Sequence, residues 1–192
     1  MYYKRTVTLM VIVIGCLTLL TFSRSNQMTT LRLRSPAFKN DEAIPRDYTC
    51  TGRNISPQLE WQKLDGVKGY MLIVDDPDAQ RVAGKTFVHW ILSLPISVTH
   101  LGEASSYEGH ASPVGTEYEN DFNNTYYGGP CPPKDSGMHN YHFTLFALSI
   151  AEEELKDNPT IKKGHLTADQ FRKVFKDKII AEDYIIGKFG VE

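Results

Sequence analysis

The sequence predicts a mainly β fold, with a largely antiparallel sheet and with helices gathered toward the C-terminal end. Three observations support this. Short apolar or alternating runs recur between Leu31 and Leu94 and again over Tyr141–Leu148. No helical pattern separates these runs, although parallel neighbours would need such crossovers. Helix-start patterns appear only after Leu148, ahead of one last strand-like run, an order that suits an α+β arrangement.

Taken in chain order, Leu31, Leu33 and Pro36–Phe38 read as an entry strand running into a loop. Asp41–Pro57 is rich in charge and turn formers (Pro45, Gly52, Asn54, Pro57) and reads as a long ordered loop. Leu59 and Trp61 restore alternation. Gly69–Val74 is a buried strand that ends in Asp75-Asp76-Pro77-Asp78, and Phe87–Leu94 is a second, stopped by Pro95. Residues 102–137 form a long irregular stretch, a length that often carries function in a compact domain. Tyr141–Leu148 is a strong strand. Ser149 with Glu152, and Thr167 with Gln170, make two capping-box patterns. Phe171, Val174, Phe175 and Ile179 then recur at helical spacing, which predicts a helix packed on the core. Tyr184–Phe189 is the last strand.

The 192 residues carry a formal net charge of −2, and no Lys/Arg stripe stands out, so nucleic acid is not an expected partner. No internal repeat is visible, and one domain is expected over residues 28–192. Residues 1–27 differ from the rest. Lys4 and Arg5 precede an apolar run from Val7 to Phe22, and polar residues follow. This describes a signal peptide or a short membrane anchor; the run, at about 16 residues, is short for an ordinary span. Export, to the periplasm or to a membrane-anchored position, is the expectation. Lipidation at Cys16 and a cytoplasmic form starting at Met28 are the alternatives. Cys50 and Cys131 remain in the domain, and the sequence leaves their pairing open.

His139 and Tyr141 share one face if they open a strand, and His142 then points away. The histidines at 139 and 142 therefore diverge, no Cys/His set completes a zinc site, and no metal or cofactor is expected. His89 sits inside an apolar strand between Val88 and Trp90, where a ring bonded only to backbone is as natural as a ligand. Asp76 and Asp78 fit a plain Asp-Pro turn as well as a site. Tyr126–Pro133 contains Gly128-Gly129-Pro130-Cys131-Pro132. Such a loop is either a stiff surface turn or an anion nest. No Gly-Lys-Ser/Thr follows it, and no Gly-x-Ser-x-Gly occurs.

Four ordered blocks resemble the signature of the phosphatidylethanolamine-binding protein family, in its bacterial and archaeal Raf-kinase-inhibitor-like branch. They are Asp76-Pro77-Asp78-Ala79, His89-Trp90, Gly129-Pro130-Cys131-Pro132-Pro133 and His139-Asn140-Tyr141. Cys50–Pro57 and Leu59-Glu60-Trp61 are similar to the family's N-terminal block. The resemblance implies a large antiparallel sheet, a second small sheet and C-terminal helices. It implies a pocket near one end of the main sheet, lined by Asp76, Asp78, His89, His139 and Tyr141 and closed by Gly129, Pro130, Cys131 and Pro132. Its ligands would be phosphate, phosphoethanolamine or a phospholipid head group. Protonated His89 and His139 would donate to the anion, oriented by an Asp, with Tyr141 as a third donor. A regulatory contact with a kinase or protease is implied, without catalysis by the domain itself. The alternative is a hydrolase acting on a phosphorylated or ester substrate, with Cys131 in the right loop. The chain departs from the usual pattern at Gln80, where Pro is common, and at Asn140, where Arg is common.

Overall fold

The computed structural model describes residues 30–191. The proposed leader or anchor over residues 1–27 lies outside the described residues, and among those described no helix is long and apolar enough to cross a membrane. The strands are β1 Glu42–Ala43, β2 Leu59–Glu60, β3 Gly69–Asp76, β4 Phe87–Pro95, β5 His100–Leu101, β6 Thr116–Tyr118, β7 His139–Leu148 and β8 Ile179–Phe189. The helices are α1 Gln80–Ala83, α2 Glu152–Lys156, α3 Pro159–Lys162 and α4 Ala168–Val174.

Among the described residues, six strands form one sheet in the order β1-β8-β7-β3-β4-β6, and β2 pairs with β5 in a second, two-stranded sheet. The mainly β fold with a small second sheet is thus as expected, and the helices follow β7 apart from the four-residue α1 between β3 and β4, which was not expected. The large sheet is antiparallel except at one edge, where β1 runs parallel to β8. Two residues are too few to announce that edge in a sequence.

β3 lies at the centre and all eight of its residues are buried. Its side chains alternate between two apolar layers. Tyr70, Leu72 and Val74 join Trp90, Leu92, Phe143 and Leu145 on the front face, under the small sheet and the long loops. Met71 and Ile73 join Ile91, Phe146, Leu155 and Phe171 on the back face, under the helices.

Several local expectations need correction. Leu31 and Leu33 are buried but form no strand: Arg32 takes a positive φ of 49°, and only Arg34 makes a bridge, to Glu60. α2 is capped at Ala151 rather than Ser149; the Glu154 carboxylate accepts the Ala151 N–H (3.2 Å), while the Ser149 hydroxyl donates to the Lys178 carbonyl. The Thr167–Gln170 box forms as expected in both directions. α4 stops at Val174, so Phe171 and Phe175 are buried, Val174 is exposed, and Ile179 belongs to β8. β6, inside the long irregular stretch, was not visible in the sequence.

Candidate functional site

A cavity of about 270 Å³ opens at one end of the front face. The end of β3 supplies Asp76, the start of β4 supplies Phe87 and His89, and the start of β7 supplies His139 and Tyr141. Strand alternation puts His139 and Tyr141 on the same face, as expected. His142 lines a different cavity on the back.

His89 reaches the front only through an irregularity. Val74 pairs with Trp90 and Asp75 with Val88, so His89 is the extra residue of a β-bulge. Strict alternation would place His89 opposite Trp90 across the sheet. With the bulge, both face the front, while Val88 and Ile91 both face the back. The carbonyl of the bulged residue is not left unpaired. It accepts the Gly128 N–H (3.1 Å) and the Asn120 side-chain amide (3.0 Å).

The polar atoms of the site divide into satisfied and unsatisfied ones. Asp76 caps the turn over Pro77–Ala79 by accepting the Ala79 N–H at Oδ1 (3.1 Å), and its Oδ2 takes His139 Nδ1 at 2.7 Å. That contact puts the proton on Nδ1 and fixes the ring. His139 Nε2 and the Tyr141 hydroxyl are both buried without a hydrogen-bond partner. Burial, and then the nearby Asp76 charge, push the Tyr141 phenol well above its ordinary range, so it stays a neutral O–H donor. His89 donates Nδ1–H to the Gly128 carbonyl at 2.7 Å. Burial holds its pKa below the ordinary value, against the opposing pull of that carbonyl and of Asp76. Burial thus works against the cationic ring that the sequence led us to expect at His89.

Asp78 stands apart from this group. Its Oδ2 accepts the Asn140 backbone N–H (2.9 Å) and side-chain amide (2.7 Å), and its Oδ1 meets Arg81 at 3.3 Å. It does not line the cavity. Burial pushes its carboxyl up, but the two Asn140 bonds and Arg81 outweigh this and hold it below the usual range. Asn140, one of the two departures from the family pattern, is thus the clamp on the Asp-Pro-Asp turn.

The loop after Tyr127 forms one wall. Cys131 and Pro132 line the cavity, whereas Gly129 and Pro130 act behind them. Gly129 is needed for close approach: a Cβ there would fall 2.4 Å from the Tyr48 carbonyl oxygen and 2.6 Å from Asn54 Oδ1. Its N–H donates to that same Asn54 oxygen (2.8 Å), and the Cys50 N–H donates to the Pro130 carbonyl. Cys50 and Cys131 form a disulfide, with Cα atoms 5.4 Å apart. Cys131 therefore holds no free thiol. The sequence reading missed the apolar walls, Ala79, Val82, Ala83, Phe87, Phe122 and Pro133. Phe87 was open to inference, since it lies two residues before His89 at a strand start. Phe122 was not, since it arrives from the irregular stretch to meet Phe87 and His89 edge-on at 4.8 and 5.3 Å.

Comparison with known proteins places this geometry. The family model described as phosphatidylethanolamine-binding protein matches residues 34–190. A UPF0098 protein of Aquifex aeolicus is 38% identical over 157 residues, 81% of this chain and 85% of its own. LppC of Mycobacterium tuberculosis, whose name suggests a lipoprotein, is 36% identical over 63% of this chain and 57% of its own. Among solved structures, the Chlamydia trachomatis phosphatidylethanolamine-binding protein homologue CT736 superposes with a TM-score of 0.68 at 28% identity, covering 85% of this chain and 99% of its own. E. coli YbcL shares the fold with a TM-score of 0.70 at 24% identity, covering 84% and 99%. The chain therefore belongs to the phosphatidylethanolamine-binding protein family.

Proposed function

We propose that the domain captures a small anion, phosphate or a phosphate-bearing head group, in the front cavity without turning it over. One observation carries this reading: two buried polar atoms of the same cavity, His139 Nε2 and the Tyr141 hydroxyl, have no partner. Buried polar groups are nearly always satisfied, and an oxygen of a bound anion would satisfy both. The Tyr141 O–H would donate to one ligand oxygen. His139 would donate from Nε2 as a doubly protonated ring, its second proton already held on Asp76.

His89 plays a different part. With Nδ1–H committed to Gly128, its Nε2 offers a lone pair while the ring is neutral. It then suits a protonated ligand oxygen, or takes up a proton when a fully ionised phosphate arrives. Binding of dianionic phosphate is thus coupled to proton uptake and strengthens as pH falls. The apolar walls favour an anion attached to an apolar body over a bare ion.

Cys131 offers no nucleophile while it is bonded to Cys50, which favours capture over hydrolysis. The disulfide, together with the name of LppC, supports an exported location.

Titration calorimetry with inorganic phosphate and with phosphoethanolamine tests this reading. The Tyr141→Phe variant keeps the ring and loses the donor, and should bind at least about tenfold more weakly. Wild-type affinity should rise from about pH 8.5 to about pH 5.5. Equal affinity in wild type and Tyr141→Phe, or affinity flat with pH, would overturn it.

A further inference from the structure

The same sheet carries a second cavity on its back face, of about 300 Å³. Asp75, His142, Thr144, Asp169, Arg172 and Tyr184 are among its lining residues. None of them belongs to the front site. Asp75 and His142 are directly opposite each other in the β3–β7 ladder, and Thr144 is opposite Tyr184 in the β7–β8 ladder. The His142 and Tyr184 rings stack, with centroids 6.2 Å apart and planes within 14°.

Asp75 is the unusual member. It is only 3% exposed, and its Oδ2 accepts one hydrogen bond, from the Ala168 N–H at 2.8 Å. No other donor among the described residues reaches this carboxyl. A buried carboxylate ordinarily collects several donors or a cation. The arginine that lines the cavity, Arg172, is already committed: its Nε contacts both Glu182 oxygens at 2.9 and 3.2 Å, and a terminal nitrogen pairs with Asp169. Burial disfavours a charge on His142, against the pull of Asp78, Asp76 and Asp169. The facing groups sum to a negative site: Asp75, Asp169 and Glu182 against Arg172 alone. Tyr184 is exposed to 54%, so its ring is open to a ligand.

We infer that this back cavity is a second binding site, for a small organic cation such as a primary alkylammonium, held by the Asp75 carboxylate against the Tyr184–His142 ring stack. The ammonium supplies the donors that Asp75 lacks, and the exposed ring supplies a cation–π face. Arg172 and Asp169 close the side of the cavity nearest α4. A metal ion suits the site less well, since no three His, Cys, Asp or Glu side chains among the described residues are grouped to hold one.

The carboxyl of Asp75 is raised to about 6, chiefly by burial, with Asp169 and Asp76 adding to the shift and the Ala168 N–H and Arg172 opposing it. Occupancy by a cation should therefore be full at neutral pH and lost below that range.

The test is a heteronuclear NMR titration of the full-length chain with n-butylammonium chloride, against sodium chloride at equal ionic strength. Saturable shifts are expected at the amides of Asp75, His142, Thr144 and Tyr184 at neutral pH. They should vanish in mildly acidic buffer, and saturating inorganic phosphate should leave them in place. Asp75→Asn should weaken binding at least about tenfold. Tyr184→Ala, at an exposed position, should weaken it about threefold. The absence of saturable back-face shifts in wild type would overturn the inference, and so would shifts that persist in Asp75→Asn. Either failure leaves phosphate binding on the front untouched, so the two readings stand or fall separately.

Discussion

The two cavities of this domain are built from neighbouring residues and differ in almost every property. Asp76 and Tyr141 serve the front, while Asp75 and His142 serve the back, one residue away in each strand. The front is walled largely by apolar side chains and holds two unpartnered polar atoms. The back is walled by hydroxyls and charges and holds an under-bonded carboxylate. A strand's period of two is enough to give adjacent carboxylates opposite tasks. The front Asp satisfies both its oxygens inside the protein. The back Asp leaves part of its capacity free, and burial raises its pKa to about 6.

The sharpest way to break the contrast is through the disulfide. The front wall is a loop tied by Cys50–Cys131 across 81 positions, whereas the back cavity rests largely on strands and α4. Replacing both cysteines with serine should cost about 4 kcal/mol of stability, read from denaturant midpoints. The residual ties from Asn54 to Gly129 and from Cys50 N–H to Pro130 should keep the wall in place at low denaturant.

Next in size is Asp75. Burial raises its folded carboxyl to about 6 from an ordinary value of 3.8. Its contribution to stability is therefore complete below the unfolded value and is lost as pH rises through about 6. Asp75→Asn can still accept the Ala168 N–H and should be more stable than wild type at neutral pH, by up to about 3 kcal/mol. The two should converge near pH 4, a crossover that thermal melts across pH would detect. A variant less stable than wild type at neutral pH would show that the buried charge has a partner inside the protein.

The smallest effect belongs to the clamp on the front turn. Asn140→Ala removes one of the two Asn140 bonds to Asp78 and should cost about 1 kcal/mol. Phosphate affinity should change little, since Asp78 faces away from the cavity.

Much of the front site was legible in the sequence, because the motif residues sit on strands whose period dictates their faces. The structure brings Asp76, His89, His139 and Tyr141, four of the residues that the blocks named, to one cavity. Asp78 was grouped with them because its spacing from Asp76 says nothing of the turn between them, where Pro77 and Ala79 rotate it toward Asn140. The orientation of His89 rests on a bulge, and a bulge leaves no mark on hydrophobic periodicity. The cysteine pairing and the arrival of Phe122 depend on where long loops return, which local pattern does not encode. The back cavity was hidden for a related reason. It needs β3, β7, β8 and α4 together, and its key Asp looked like one more residue of an acidic turn.

The bulge at His89 also shapes how this domain could be re-engineered. Since the extra residue is unpaired in the β3–β4 ladder and its neighbours on both sides keep their own faces, position 89 acts as a socket. Its side chain can be exchanged to retune what the cavity selects, while Trp90 and Val88 stay seated in their separate layers. Deleting the residue would have a different effect from replacing it. Val88 and Trp90 would then alternate regularly and keep their faces, so the core would stay seated while the cavity lost the ring and the carbonyl that accepts from Gly128 and Asn120.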